Sequence, residues 1–486
     1  MLKTRILLPI LLACIAVASA YASEPQPITS SQIAAWLIGG VPSNNLIRVL
    51  KERGLANLPT QHELRDLEAV GADTDLIHFL NSGEVRSANI GAPIPTALLK
   101  AAAQVRQGQY HDAELALRDL VSSDPNNSSL HFALGVTLRR EQQWDDSLDE
   151  LSAATHLMPD LSENHAALAY LFYRVDDGPN SIDEARTALS IDPKNAEAYQ
   201  YLGLGLYSNY QYLPAVNAFE EALAHDPDNA DTYYDMGIAE HAAGNLPLAI
   251  ADYQKAIQLR AVFWEAHSNL AMTWHEQGDL ERAAQEYREA KRIAPNEPSV
   301  RNNLANTYCD QGNFDGAIDE LNELYFQHPD WQQGHACLAS AYMSKKNYDA
   351  AVDQLRIALR QNPTGSAEHR ILGQVLLLDN KPDEALHELQ IAVSLNPDSD
   401  IAHRLLGTVL LHQQDLRAAE KEFREALRVN PSADNHYALG ACLITEDRYQ
   451  EALAEIETAT RLDPDQSLYR ARREELLKLL KETTSR

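Results

Sequence analysis

Along most of this chain apolar residues recur at i, i+3, i+4 and i+7, the spacing of one helix face. In the stretch 196–229, Tyr199, Leu202, Gly203 and Leu206 make one such face, and Ala215, Phe219 and Ala222 make a second. Polar Asp226-Pro227-Asp228-Asn229 then breaks the chain before the pattern restarts. Gly203, Ala215 and Ala222 are small enough for two backbones to approach closely, and Leu202 and Phe219 fill the space between them. The predicted unit is a pair of antiparallel helices. One pair cannot bury both its faces, so neighbouring units must stack.

The unit returns in phase. Pro125, Pro159, Pro193, Pro227, Pro295, Pro329, Pro363, Pro397 and Pro431 are spaced by multiples of 34 residues, Ala261 fills the empty slot, and Pro464 comes one residue early. The first helix carries Leu134-Gly135, Leu168-Ala169, Leu270-Ala271, Leu304-Ala305, Leu338-Ala339, Leu372-Gly373, Leu406-Gly407 and Leu439-Gly440. The second carries trios such as Ala249, Tyr253, Ala256 and Ala419, Phe423, Ala426. This pattern resembles the tetratricopeptide repeat family over about Ile94 to Asp465, eleven repeats in all. The resemblance implies an all-α, right-handed superhelical solenoid of helix-turn-helix repeats, with first helices lining the concave side.

Three departures carry expectations of their own. Lys100 stands where leucine belongs, so the first repeat reads as an N-terminal cap. Gly178-Pro179 falls inside an expected second helix and predicts a shortened one. Ala261 predicts a second helix that runs on toward Phe263. After Pro464 a charged helix over about 466–481, with Leu476, Leu477, Leu479 and Leu480, is expected to cap the stack within a C-terminal segment 466–486.

Ahead of the array (94–465), residues 26–84 read as four short helices. Capping boxes open two of them, at Thr29 with Gln32 and at Thr60 with Glu63, and Gly39-Gly40, Gly54, Gly71 and Gly83 serve as stops. Ile33, Trp36, Leu37, Leu46, Val49, Leu50, Leu64, Leu67, Ile77 and Leu80 supply a small core. Residues 85–93, with Ser87, Gly91 and Pro93, read as a linker. Residues 1–22 read as an export signal: basic Lys3 and Arg5, an apolar run from Ile6 to Ala18, and small-residue cleavage sites at Ala18-Ser19-Ala20 and Ala20-Tyr21-Ala22. Leu11-Leu12-Ala13-Cys14 offers an alternative in which Cys14 is lipidated, although the apolar run continues beyond it. No later segment approaches the length of a membrane span, so periplasmic or secreted placement is expected, with or without the lipid anchor.

Charge narrows the partners. The formal net charge is −29, which repels phosphate backbones and argues against nucleic acid. A basic or neutral protein or peptide is the expected partner. Cys309, Cys337 and Cys442 are an odd number inside predicted helices and read as small buried hydrophobes. A Cys309–Cys337 bridge is not expected, because the two lie six positions apart in repeat phase, about 9 Å along a helix axis.

His131, His165, His267, His335, His369, His403 and His436 share one repeat position, held elsewhere by Tyr199 and Tyr233. They read as flat packing residues between two helices. With no matching carboxylate column in view, no metal site or cofactor is expected. Buried neutral imidazoles would make the fold lose stability as pH falls below about 6.5. There is no His-Glu-x-x-His, phosphate-cradling glycine loop or serine elbow, so no catalytic residue is assigned.

The residues that the resemblance places on the concave side do not repeat. Phe132, Tyr170, Tyr173, Tyr207 and Tyr234 cluster in repeats 2 to 5, beside Arg139, Arg140 and Arg174. Met272 and His275, then Leu377, Leu378 and Leu411, follow. Tyrosine and arginine are frequent anchors at interfaces. The expectation is a non-catalytic scaffold for envelope or secretion-related assembly. Its groove would have one aromatic and one apolar end. The alternatives are an accessory subunit of an envelope enzyme complex and a carbohydrate binder that uses the groove tyrosines.

Overall fold

The computed structural model describes residues 26–82 and 93–484, with side chains to residue 481. The export-signal reading of 1–22, Cys14, Gly83 and all but the last residue of the 85–93 linker lie outside these residues. Among the described residues there are 27 helices and no strand; a lone bridge joins Ile28 to Leu55. The chain divides into two compact units, Met1–Leu259 and Arg260–Arg486. The first holds the four-helix module and repeats 1 to 5, the second repeats 6 to 11 and the last helix.

The module helices are α1 (Ser30–Ile38), α2 (Ser43–Arg53), α3 (Gln61–Val70) and α4 (Thr74–Asn81). Both capping boxes form, at Thr29/Gln32 and Thr60/Glu63. The module is not a separate bead. Trp36, Leu46, Leu67 and Leu76 share one core with Leu98, Phe132 and Leu134 of the first two repeats. Helix α1 also packs directly on the first helices of repeats 1 and 2. Repeat 1 is therefore covered by the module, and it does not itself close the stack.

In all eleven repeats the second helix is 14 residues long, from Tyr110–Ser123 to Tyr449–Leu462. The turn before it places one residue at positive φ in every repeat: Gly108, Gly244, Gly278 and Gly312 in four, and Gln142, Asp176, Tyr210, Lys346, Asn380, Gln414 and Asp447 in the others. Close packing explains the small residues of the first helix. A Cβ on Gly203 would lie 2.5–2.7 Å from the Phe219 ring, and one on Gly407 2.8–3.0 Å from that of Phe423.

Two expected irregularities do not occur. The second helix of repeat 3 runs its full 14 residues from Gly178 to Ile191. Pro179 sits in its first turn, where no intrahelical donor is lost and a fixed φ is welcome. The second helix of repeat 5 ends at Leu259 despite Ala261, because the length common to all the repeats, and not the proline, sets the end. An unforeseen irregularity lies in repeat 8, whose first helix (His335–Ser344) is only ten residues long and follows Gly334 at φ +94°. The last helix, Ser467–Thr484, buries Tyr469 and Leu476 against the end of the array, as a cap must.

Candidate functional site: the first-helix face of repeats 2 to 5

Each repeat has a seam between its two helices, and the histidine column lies in it. His131, His165, His369, His403 and His436 place Nδ1 2.6 Å from Oε2 of Glu150, Glu184, Glu388, Glu422 and Glu455, and His267 lies 2.7 Å from Glu286. The partner always stands 19 residues later, so the column of carboxylates missing from the sequence reading is present after all. In four of these rings Nε2 meets the carbonyl oxygen of Pro125, Pro159, Pro363 or Pro397 at 2.8–3.2 Å. In these rings both nitrogens face acceptor oxygens. Where one partner is replaced the pairing adapts: Arg301 Nη1 donates to Glu320 Oε2 at 3.0 Å, and His335 pairs with Gln354 at 2.8 Å.

At His165 the expected pH dependence is reversed. Burial lowers the His165 pKa, but the Glu184 carboxylate and the Pro159 carbonyl outweigh it and raise the net value. A histidine with a raised folded pKa stabilises the fold below its unfolded value and loses that contribution as pH rises.

The face formed by the first helices is built differently. Arg139, at the end of the first helix of repeat 2 (Ser128–Arg140), lays its guanidinium 4.8 Å from the Tyr170 ring centre and faces Tyr201 and Glu197. Tyr170 and Tyr173, on the first helix of repeat 3 (Ser162–Arg174), have ring centres 6.4 Å apart, and Tyr170 lies 5.2 Å from Tyr201. On the first helix of repeat 4 (Ala196–Ser208), Gln200 Nε2 donates to Asp235 Oδ2 of repeat 5 at 2.8 Å. Tyr207 rests 5.6 Å from Tyr212, and Tyr234 6.0 Å from Tyr253. Sequence reasoning missed Gln200, Tyr201 and Asp235 as members of this cluster. The signal was available, since Tyr201 and Asp235 are one repeat apart on the helix face that carries Tyr170.

The other candidates are dispersed. Phe132 is 4% exposed and pressed against Gly39 of the module, where any Cβ would collide with its ring, so it cannot meet a ligand. Arg140 reaches Tyr110 and Arg174 reaches Trp144, each over a second-helix aromatic. In the second unit, His275 Nε2 lies 2.8 Å from Asp310 Oδ2, Leu377 and Leu411 pack into core clusters, and Met272 and Leu378 are exposed. They do not join into one apolar patch.

The module contributes to the same face. Arg48 of α2 pairs with Asp192 at 2.9 Å and Glu163 at 3.5 Å, and Arg53 pairs with Asp160. Glu163 is almost fully buried, and burial raises its pKa against the pull of Arg48.

The cysteine expectation is corrected. Cys309 and Cys337 form a disulfide with Cα atoms 6.1 Å apart. The sequence argument compared them in phase, but neighbouring repeats are staggered. Across the second helices, Arg118–Asp146, Arg356–Glu384 and Arg448–Glu420 also pair at a separation of 28 residues. Cys442 is buried, and burial pushes its thiol up to about 11. Among the described residues, one His/carboxylate group has ligand-type atoms within 4.8 Å of one another: His111, Glu114 and Glu141. Its carboxylates already accept from Arg118 and Gln143, and no metal role is assigned to it.

Tetratricopeptide repeat models match residues 98–161, 202–262, 275–340, 371–422 and 413–467. A search of curated proteins finds no match. Among solved structures, the Cut9-Hcn1 hetero-tetramer of APC/C is 17% identical, with TM-score 0.45, covering 72% of this chain and 67% of that one. A tetratricopeptide repeat protein from Parabacteroides merdae is 17% identical, with TM-score 0.43, covering 51% and 98%. PilF of Pseudomonas aeruginosa is 18% identical, with TM-score 0.38, covering 45% and 96%. The family matches, the constant second helices and the paired packing lead to one conclusion: the chain belongs to the tetratricopeptide repeat family.

Proposed function

We propose that this chain is an exported, non-catalytic scaffold that holds a protein or peptide on the first-helix face of repeats 2 to 5, in envelope or secretion-related assembly. The observation that carries the reading is the cluster of Arg139, Tyr170, Tyr173 and Tyr201, whose side chains are only partly buried and break the repeat pattern. Aromatic and arginine side chains of this kind anchor interfaces at low conformational cost. Export is supported by the signal-like first 22 residues and by the Cys309–Cys337 pair, which suits an oxidising compartment.

The test is capture from an envelope extract by the full chain and by a Tyr170→Ala/Tyr173→Ala/Tyr207→Ala variant, with helicity checked by circular dichroism. The reading expects partner recovery to fall at least about tenfold in the variant, the loss of one or two interface anchors. Equal recovery by both proteins rejects it.

A further inference from the structure

Many partly buried carboxylates of this chain come with their own cation. The seam glutamates have histidines, Glu320 has Arg301 and Lys291, and Glu163 and Asp192 share the Arg48 brought by the module. Asp235 departs from this rule. It is partly buried on the first helix of repeat 5 (Ala230–Ala242). Among the described residues its hydrogen bond comes from the neutral Gln200 amide, and it has no ion pair. The charge that acts on it is another acid, Asp231. Burial pushes its carboxyl up to about 7, so that a cation set against it would favour the charged form.

Its surroundings suit such a cation. Tyr173 packs with Tyr201 on the core cluster that includes Met236, the neighbour of Asp235; burial first and then the Asp235 charge raise its phenol pKa, and Tyr170 and Tyr201 extend the aromatic wall. The same face already holds guanidinium groups in both ways that a ligand would use. Arg139 lies over Tyr170, and Arg48 sits on Glu163 and Asp192. Asp252 is an internal contrast. Burial pushes it too to about 7, but its charged neighbours are Glu220 and Glu240, and it lies on a second helix, at the seam position 19 residues after Tyr233.

We propose that the first-helix face of repeats 3 to 5 takes a basic segment of a partner protein, seating one arginine or lysine side chain against Tyr173 and on the carboxylate of Asp235. This rests on the scaffold reading above and adds the chemical class of the partner. Charge complementarity selects that occupant: the chain carries a net −29, and this acid lacks a cation of its own.

The test measures binding of a short labelled glycine–arginine peptide to the full chain by fluorescence anisotropy at about 0.15 M salt, where long-range attraction is screened. Asp235→Asn and Asp252→Asn remove the same formal charge. The expected result is at least about tenfold weaker binding by Asp235→Asn, and by Tyr173→Ala, with Asp252→Asn within about twofold of the parent. A glycine–glutamate peptide should not bind. Absence of arginine-peptide binding overturns the proposal, and so does an equal effect of both aspartate variants, which would mark diffuse charge attraction. The two readings fail separately. If the triple tyrosine variant loses its captured partner while Asp235→Asn keeps it, the scaffold stands and the cation site falls.

Discussion

The seam inside each repeat and the first-helix face of repeats 2 to 5 are made from the same helices by opposite rules. In the seam, residues keep the period and most charges are matched within the chain, histidine against glutamate or Arg301 against Glu320, with Asp252 of repeat 5 as an exception. On the face, tyrosines, Gln200 and Asp235 are aperiodic, and Asp235 has no cation. Periodicity and internal charge matching mark what builds the stack. Their joint failure on the first-helix face marks what the stack presents.

Substitutions should separate the two regions. The largest effect is expected at the seam from Gly203→Ala, whose Cβ would meet the Phe219 ring at 2.5–2.7 Å. A cost of about 2–3 kcal/mol in chemical denaturation follows from overpacking, whereas Tyr173→Ala on the face should cost less than about 1 kcal/mol. Next comes Glu184→Gln. The pair with His165 is mostly buried, with 10% and 28% of the two side chains exposed, and its loss should cost about 1–2 kcal/mol below pH 6.5. Because the His165 pKa is raised, the difference between parent and variant should shrink as pH climbs above 6.5. A difference that grows with pH would contradict the ion-pair description.

Asp235→Asn should act in the opposite direction. A carboxyl held near 7 binds more protons folded than unfolded between about pH 4 and 7, so it weakens the fold as pH rises through that interval. The variant should therefore melt higher than the parent at pH 8 and equal it near pH 4. An equal or lower melting temperature at pH 8 would place Asp235 among the charge-matched acids. The smallest effect is expected from Lys346→Gly, which relieves a residue at φ 60° and should stabilise the second unit by no more than about 1 kcal/mol.

The fold was legible in the sequence because it is written eleven times. Leu-Gly pairs, alanine trios and prolines each report a contact that every repeat must make. What escaped was relational. The glutamates opposite the histidines lie 19 residues away, across a turn, and become visible only when two columns are compared. The Cys309–Cys337 bridge was excluded by assuming that repeats align in phase, when their contacts are staggered to a separation of 28. Phe132 was read as a groove residue because nothing in its own repeat announces that Gly39 covers it. Tyr170 and Tyr173 follow from the concave positions that the repeat resemblance assigns, but Asp235 needed the structure to reveal its missing cation.

The central claim is that Asp235 is a partly buried acid waiting for an external positive charge. Carbon-13 titration of its side-chain carboxyl, with and without saturating glycine–arginine peptide, tests this most directly. The account predicts a midpoint of about 7 in the protein alone and a clear fall when the peptide is added. A midpoint near about 4, the ordinary aspartate value, or one that the peptide leaves unmoved, would contradict it.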